Sequence, residues 1–243
     1  MQDAALLGSF EADGHTMVEA ARRAGLDTKV PGCPDWTVGD LVRHTASVFE
    51  HKIEVIRTGK RPEEWTNESS DRLDWLADAH ARMFAALVSR PAEHELWTWY
   101  PPRQDVRFWI RRMAQEVLVH RIDAEQAAGI GPDIDAELAA DGVDEALECF
   151  IVFDLEGEAE VAGNGERIRI VSTDTSHTWS LELLPKSIGF SRSAAESADV
   201  TVTAPAADLL LWIWGRGSLQ SAAVTGDAAL AARLIALSKT ATQ

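Results

Sequence analysis

Glu116 and His120 stand four residues apart in Gln115-Glu116-Val117-Leu118-Val119-His120, so on a helix they share one face and their heads can converge. A carboxylate oxygen and an imidazole nitrogen so placed suit a divalent metal, which takes both at about 2.0–2.2 Å. Two ligands hold an ion weakly, and a third must come from another element. His44 is the natural candidate, because Leu41, Val42, Thr45 and Val48 mark its helix face as one that turns inward. His51, one heptad further on and on nearly the same face, competes with it. Spacing alone leaves the alternative open: a Glu–His pair of this kind is more often a surface hydrogen bond than a metal site. Asp123 follows His120 by three and is placed either to accept a hydrogen bond from a ligand histidine or to pair with Arg121. His15, His80, His94 and His177 belong to no constellation and read as exposed or locally satisfied.

The elements that must carry these residues are helical over the first 150 positions. Apolar residues at helical spacing run from Asp3 to Ala24 and stop at Gly25. Thr37 and Asp40 form a capping-box pattern that opens the helix of His44. A polar break from Arg57 to Asn67 precedes a third helix, Asp71 to Ser89. A fourth, Val106 to Ala128, carries Glu116 and His120 and ends at Gly129-Ile130-Gly131-Pro132. Short connections predict an antiparallel bundle. Trp97, Trp99 and Tyr100, ahead of Pro101-Pro102, predict a rigid aromatic loop able to wall a pocket, and most other tryptophans are expected in the core.

Beyond about residue 150 the texture changes. Ile168–Val171, Trp179–Leu183 and Val200–Thr203 alternate with period two, and Val161–Gly165 is a turn signal. Helical texture returns over Ala206–Trp214 and Asp227–Ser238. The expectation is two domains, a helical bundle over 1–150 and a small α+β domain over 151–243.

Composition narrows the partners. With 23 Lys+Arg against 39 Asp+Glu the formal charge is −16, which argues against nucleic acid because phosphate binding needs a basic patch. Two cysteines, Cys33 and Cys149, cannot build a disulfide framework or a four-thiolate metal site. Cys33 adjoins no basic partner and is not expected to be a nucleophile. The first residues lack a basic, apolar leader pattern, and the longest apolar run, Leu209–Trp214, falls far short of the ~20 residues a bilayer span needs. A cytoplasmic protein with no membrane partner, monomeric or a small homo-oligomer, is the expectation.

Resemblance adds a family. VPGCPDWTVGDLVRHTASVFEHK (residues 30–52), with its W-[ST]-V-x-[DE]-L-x-x-H core, resembles the N-terminal domain of mycothiol-dependent maleylpyruvate isomerase-like proteins, within the DinB-like metal-binding four-helix bundles. FWIRRMAQEVLVHRIDAEQAAG (108–129) is similar to that family's second motif, E-x-x-x-H-R-x-D-A-E. DVTVTAPAADLLLWIWGRG (199–217) resembles its smaller, sterol-carrier-like α+β C-terminal domain. The resemblance implies metal ligands at His44, Glu116 and His120, usually with Zn²⁺, and a position left open for water, thiol or substrate. It implies mycothiol as thiol cofactor and a small-molecule electrophile as substrate, converted by isomerisation or by thiol S-transfer through a zinc-bound thiolate. Arg216 resembles a conspicuous arginine of the C-terminal domain, implying a bidentate grip on a carboxylate of substrate or cofactor. The alternative is a helix-end arginine neutralising the dipole. Asp123 and Arg216 are therefore the candidate catalytic residues beside the ligands. Two other functions are carried: a non-catalytic metal- or small-molecule-binding module, and a metal-dependent hydrolase lacking a secure general base. The 18 Arg against 5 Lys fit a GC-rich actinobacterial source, an associational link to mycothiol.

Overall fold

The computed structural model describes residues 1–64, 73–158, 161, 163–218 and 222–241. Contacts divide the chain into two compact units, Met1–Asp133 and Ile134–Gln243. The first contains α1 (Asp3–Ala24), a hairpin of β1 (Lys29–Val30) and β2 (Cys33–Thr37), α2 (Val38–Thr58), α3 (Leu73–Val88) and α4 (Val106–Ala127). Asn67, the expected end of the polar break, and Asp71, the expected start of the third helix, lie outside the described residues. The four helices close a ring: α1 packs on α4 and α3, and α2 packs on α3 and α4. Phe10, Met17, Leu41, Phe49, Met83, Trp109 and Leu118 fill the interior, each such side chain contributing about 1.5–3 kcal/mol by leaving water.

The start of α2 is fixed from several directions. Thr37 Oγ1 accepts from the Asp40 amide at 3.2 Å and Asp40 Oδ2 accepts from the Thr37 amide at 2.8 Å, completing the capping box. The amides of Val38 and Gly39 donate to the carbonyls of Thr28 and Leu26, both at 2.8 Å, which ties the helix to the hairpin before it. At the other end Gly59 takes a left-handed φ of 72° and donates to Val55 O, a turn that a side chain would strain. At the α1–α3 crossing, the His80 ring lies where a Cβ on Gly14 would sit, within 2.1 Å of the ideal position.

α4 is buried on nearly every face, and its interior residues include Arg112, Gln115, His120, Arg121, Asp123 and Glu125. Polar groups at such depth are costly unless paired, so the sequence of α4 is that of a helix built around a site as much as around a core.

In the second unit α5 (Ala136–Glu145) runs on as a π-helical segment, Ala146–Asp154. A five-stranded sheet follows in the order β5-β4-β3-β6-β7, with β3 Glu166–Ser172, β4 Thr178–Leu183, β5 Ile188–Ser191, β6 Val200–Ala204 and β7 Ala223–Gly226. β3 and β6 are parallel and the other pairs antiparallel. α6 (Ala206–Ile213) and α7 (Ala228–Ala241) complete the unit. The three alternating segments of the sequence are the central strands β4, β3 and β6. The domain boundary falls between 133 and 134 and not near 150. The reason is packing: α5 lies against α6, and the π-helical segment lies against α7 and β5. Among the described residues no helix is long and apolar enough to cross a membrane.

Candidate metal centre

His44 projects from α2, and Glu116 and His120 project from one face of α4. Each offers one ligand atom, and the three atoms lie within 4.8 Å of one another, the one such group of His, Cys, Asp and Glu found among the described residues. Glu116 Oε1 is 3.4 Å from His44 Nε2 and 3.3 Å from His120 Nε2. Donors about 2.0–2.1 Å from a tetrahedral ion lie about 3.3–3.4 Å apart, a spacing that these two separations match. The donor set, two imidazoles and one carboxylate, is one that zinc accepts. Burial is graded: side-chain exposure is 39% at His44, 16% at Glu116 and 9% at His120. The group is thus anchored in the bundle at α4 and open to solvent on the α2 side.

The electrostatics favour a cation at the point of convergence. Burial would raise the Glu116 carboxyl, yet His120, His44 and Arg112 hold it well below the usual carboxylate range. Burial likewise opposes charge on His120, but Glu116 and Asp123 outweigh it and push the imidazolium up to about 9. A metal ion at this point would compete with a proton for the ring nitrogen that faces Glu116.

Asp123 is fully buried, and His120 Nδ1 donates to its Oδ2 at 3.0 Å. That bond leaves Nε2 to face Glu116 and fixes the tautomer that a ligand needs. Of the two expectations for Asp123, the hydrogen bond to histidine is the one observed. Arg121 turns to the far side of α4, with Nε 3.1 Å from Asp13, Nη1 3.1 Å from Glu125 and Nη2 donating to Asp133 O at 3.0 Å.

Three further residues surround the group. Arg112, buried on α4, donates through Nη2 to Glu116 Oε2 at 2.8 Å. Its place four before Glu116 carries the same one-face signal as the Glu116–His120 pair, and the sequence reading passes over it. Lys52 is buried two turns beyond His44, with its ammonium 4.9 Å from the Trp109 ring centre. Burial pulls Lys52 down to about 8 against the attraction of Glu116. Trp36 closes the hairpin side, its ring 4.8 Å from that of His44 and stacked 6.3 Å from that of His120.

His51 stands apart from the group of His44, Glu116 and His120. Lys52 Nζ donates to its Nδ1 at 3.1 Å, and burial with the neighbouring Lys52 charge lowers His51 to about 4. His80 departs from expectation as well: it is buried, and its Nε2 bonds to the remote Phe10 carbonyl at 3.0 Å. Arg216 lies in the second unit at the end of α6, where Nη1 donates to the Trp214 carbonyl at 2.6 Å and the guanidinium is 5.9 Å from the Trp214 ring centre. The aromatic loop packs on the start of α4, Trp99 and Tyr100 meeting Phe108 at 5.2 and 5.9 Å. Trp97 and Pro102 line a cavity of about 730 Å³ together with Glu93, Glu95 and Arg103, apart from His44, Glu116 and His120.

Fold and site define a helical bundle carrying a two-histidine, one-carboxylate group, followed by an α+β unit. The family model described as the mycothiol maleylpyruvate isomerase N-terminal domain matches residues 7–125, and that of the MDMPI C-terminal domain matches residues 137–233. The chain belongs to the mycothiol maleylpyruvate isomerase family. Among solved structures it is similar to a mycothiol-dependent maleylpyruvate isomerase, at 16% identity and TM-score 0.61 over 93% of both chains. A histidine-to-alanine mutant of a mycothiol-dependent maleylpyruvate isomerase superposes equally, at 16% identity and TM-score 0.60 over 93% of both chains. A UbiJ-SCP2 ubiquinone synthesis protein aligns with 43% of this chain and 96% of its own, at 22% identity and TM-score 0.34. No curated protein matches the chain.

Proposed function

We propose that the protein is a metal-dependent enzyme that uses mycothiol against a small electrophilic substrate, by isomerisation or by permanent transfer of the thiol. The observation that carries this reading is the convergence of His44, Glu116 and His120 within 4.8 Å on a bundle face open at His44. His44 Nε2, Glu116 Oε1 and His120 Nε2 are the proposed metal donors, with zinc the ion that their chemistry favours. When bound, such an ion lowers the pKa of an incoming thiol and presents it as thiolate at neutral pH.

The chain's own residues do the rest. Asp123 holds His120 in its ligating tautomer, and Trp36 shields the two imidazoles on the hairpin side. Arg216 is assigned on the resemblance as a bidentate grip for an acidic group of substrate or cofactor. Support comes from the family matches over both units and from the donor geometry.

The test is a paired measurement of metal content and thiol-dependent turnover. Wild-type protein with zinc and mycothiol is expected to consume an electrophile such as maleylpyruvate only when the thiol is present. His44→Ala removes the one ligand from α2 and is expected to lose bound zinc and turnover together. Full zinc occupancy with normal activity in that variant would sink the assignment. Metal binding without any thiol-dependent reaction would favour a non-catalytic module instead.

A further inference from the structure

We propose that Arg112 is a positioning residue of the metal centre: it takes Glu116 Oε2 and so leaves Oε1 as the single carboxylate donor. This rests on the metal reading above. The two oxygens of Glu116 have different surroundings. Oε1 faces His44 Nε2 at 3.4 Å and His120 Nε2 at 3.3 Å, while Oε2 accepts from Arg112 Nη2 at 2.8 Å. Arg112 and Glu116 are one turn apart on α4, and the Arg112 side chain is only 5% exposed. A guanidinium at that depth demands an anion, and removing the anion would strand a buried charge. The bond is charge-assisted and short, and the helix fixes its direction.

What this arrangement controls is the number of positions the protein uses on the ion. Carboxylates bind metals through one oxygen or through both. A Glu116 that chelated through both would consume the position that three single donors leave open, the position an exogenous thiol requires. Arg112 prevents this by engaging the second oxygen. It also draws electron density from the carboxylate, which leaves a bound ion more electrophilic. Lys52, buried alongside and attracted to Glu116, adds positive charge on the same side.

Cobalt(II) replaces zinc in such sites and reports its coordination number in the visible spectrum, where four-coordinate ions absorb strongly and five- or six-coordinate ions weakly. The experiment uses the full chain loaded with Co²⁺ alone, and measures affinity by chelator competition together with the visible band. Arg112→Met is expected to lower the band intensity as Glu116 turns chelating and, with a neighbouring positive charge removed and a second donor oxygen gained, to hold Co²⁺ more tightly than wild type. Arg112→Gln, which keeps a polar side chain and secures the test should the methionine variant not fold, is expected to move both readouts the same way. Arg112→Lys recovers part of each. Wild-type band intensity and affinity in the folded Met or Gln variant would overturn the proposal. A wild-type chain that takes up no Co²⁺ overturns the metal reading itself, and is recognised before any variant is compared.

Discussion

Asp123 and Arg112 each hold a side chain of the proposed metal site: Asp123 engages His120, and Arg112 engages Glu116. The His120 ring has two nitrogens, and Asp123 settles their roles by engaging Nδ1 at 3.0 Å. Asp123→Asn preserves shape but replaces a charged acceptor by an amide that also carries donors. Its expected effect is a loss of roughly 10–100-fold in metal affinity, read by chelator competition, with the helical signal of the bundle retained; an unchanged affinity would count against the role. This residue was legible in the sequence because three positions on a helix is a local relation. Arg112 was equally local to Glu116, but an Arg–Glu pair one turn apart is so common on solvated helix faces that spacing alone does not single it out. Lys52 and Trp36 were not legible at all. Their approach to the site depends on how α2 and the hairpin settle on α4, and no periodicity encodes that.

Among elements, α4 bears the heaviest constraint, since it carries the proposed ligands Glu116 and His120 as well as Arg121 and Glu125, which meet Asp13 of α1. Asp13 on α1 is 14% exposed, and burial raises it from 3.8 to about 6 despite the nearby Arg121. A carboxyl raised on folding contributes stability that is complete below its unfolded value of 3.8 and is lost as pH rises through about 6. Asp13→Asn removes that loss. Its stability relative to wild type is therefore expected to grow by on the order of 2 kcal/mol between pH 4 and pH 7, measured by urea unfolding at both. A difference that stays constant with pH would refute the assignment to Asp13. The helices themselves were largely legible, because caps such as Thr37–Asp40 and stops such as Gly25 are written locally. The edge strands β5 and β7 were missed: each is four residues long, and β7 is exposed at every position, so neither displays alternation. The π-helical segment Ala146–Asp154 was also missed, since its apolar run fits an ordinary buried helix.

For the whole molecule, the placement of α5 matters most. All three proposed ligands fall within Met1–Asp133, and Gly129-Ile130-Gly131-Pro132 separates that unit from the next. A chain ending at Asp133 is therefore expected to fold and to bind zinc stoichiometrically, whereas one ending near 150 would carry α5 without the α6 it packs against and would aggregate more readily. Elemental analysis and circular dichroism of the two fragments test this; a 1–133 fragment without metal or without helical structure would show that the units are interdependent. The formal charge of −16 acts over the whole surface, so the cationic side chains of Arg112 and Lys52 work against a long-range acidic field. The split of ligands between helices has a further consequence. Glu116 and His120 stay near each other in any chain that keeps one turn of α4, but His44 meets them only when distant sequence is brought together. An ion held by all three would therefore act as a reversible crosslink, closing a loop that spans more than half of the first unit. Like any loop closure, it would cost the unfolded chain entropy, so that metal supply would govern how long the bundle stays shut.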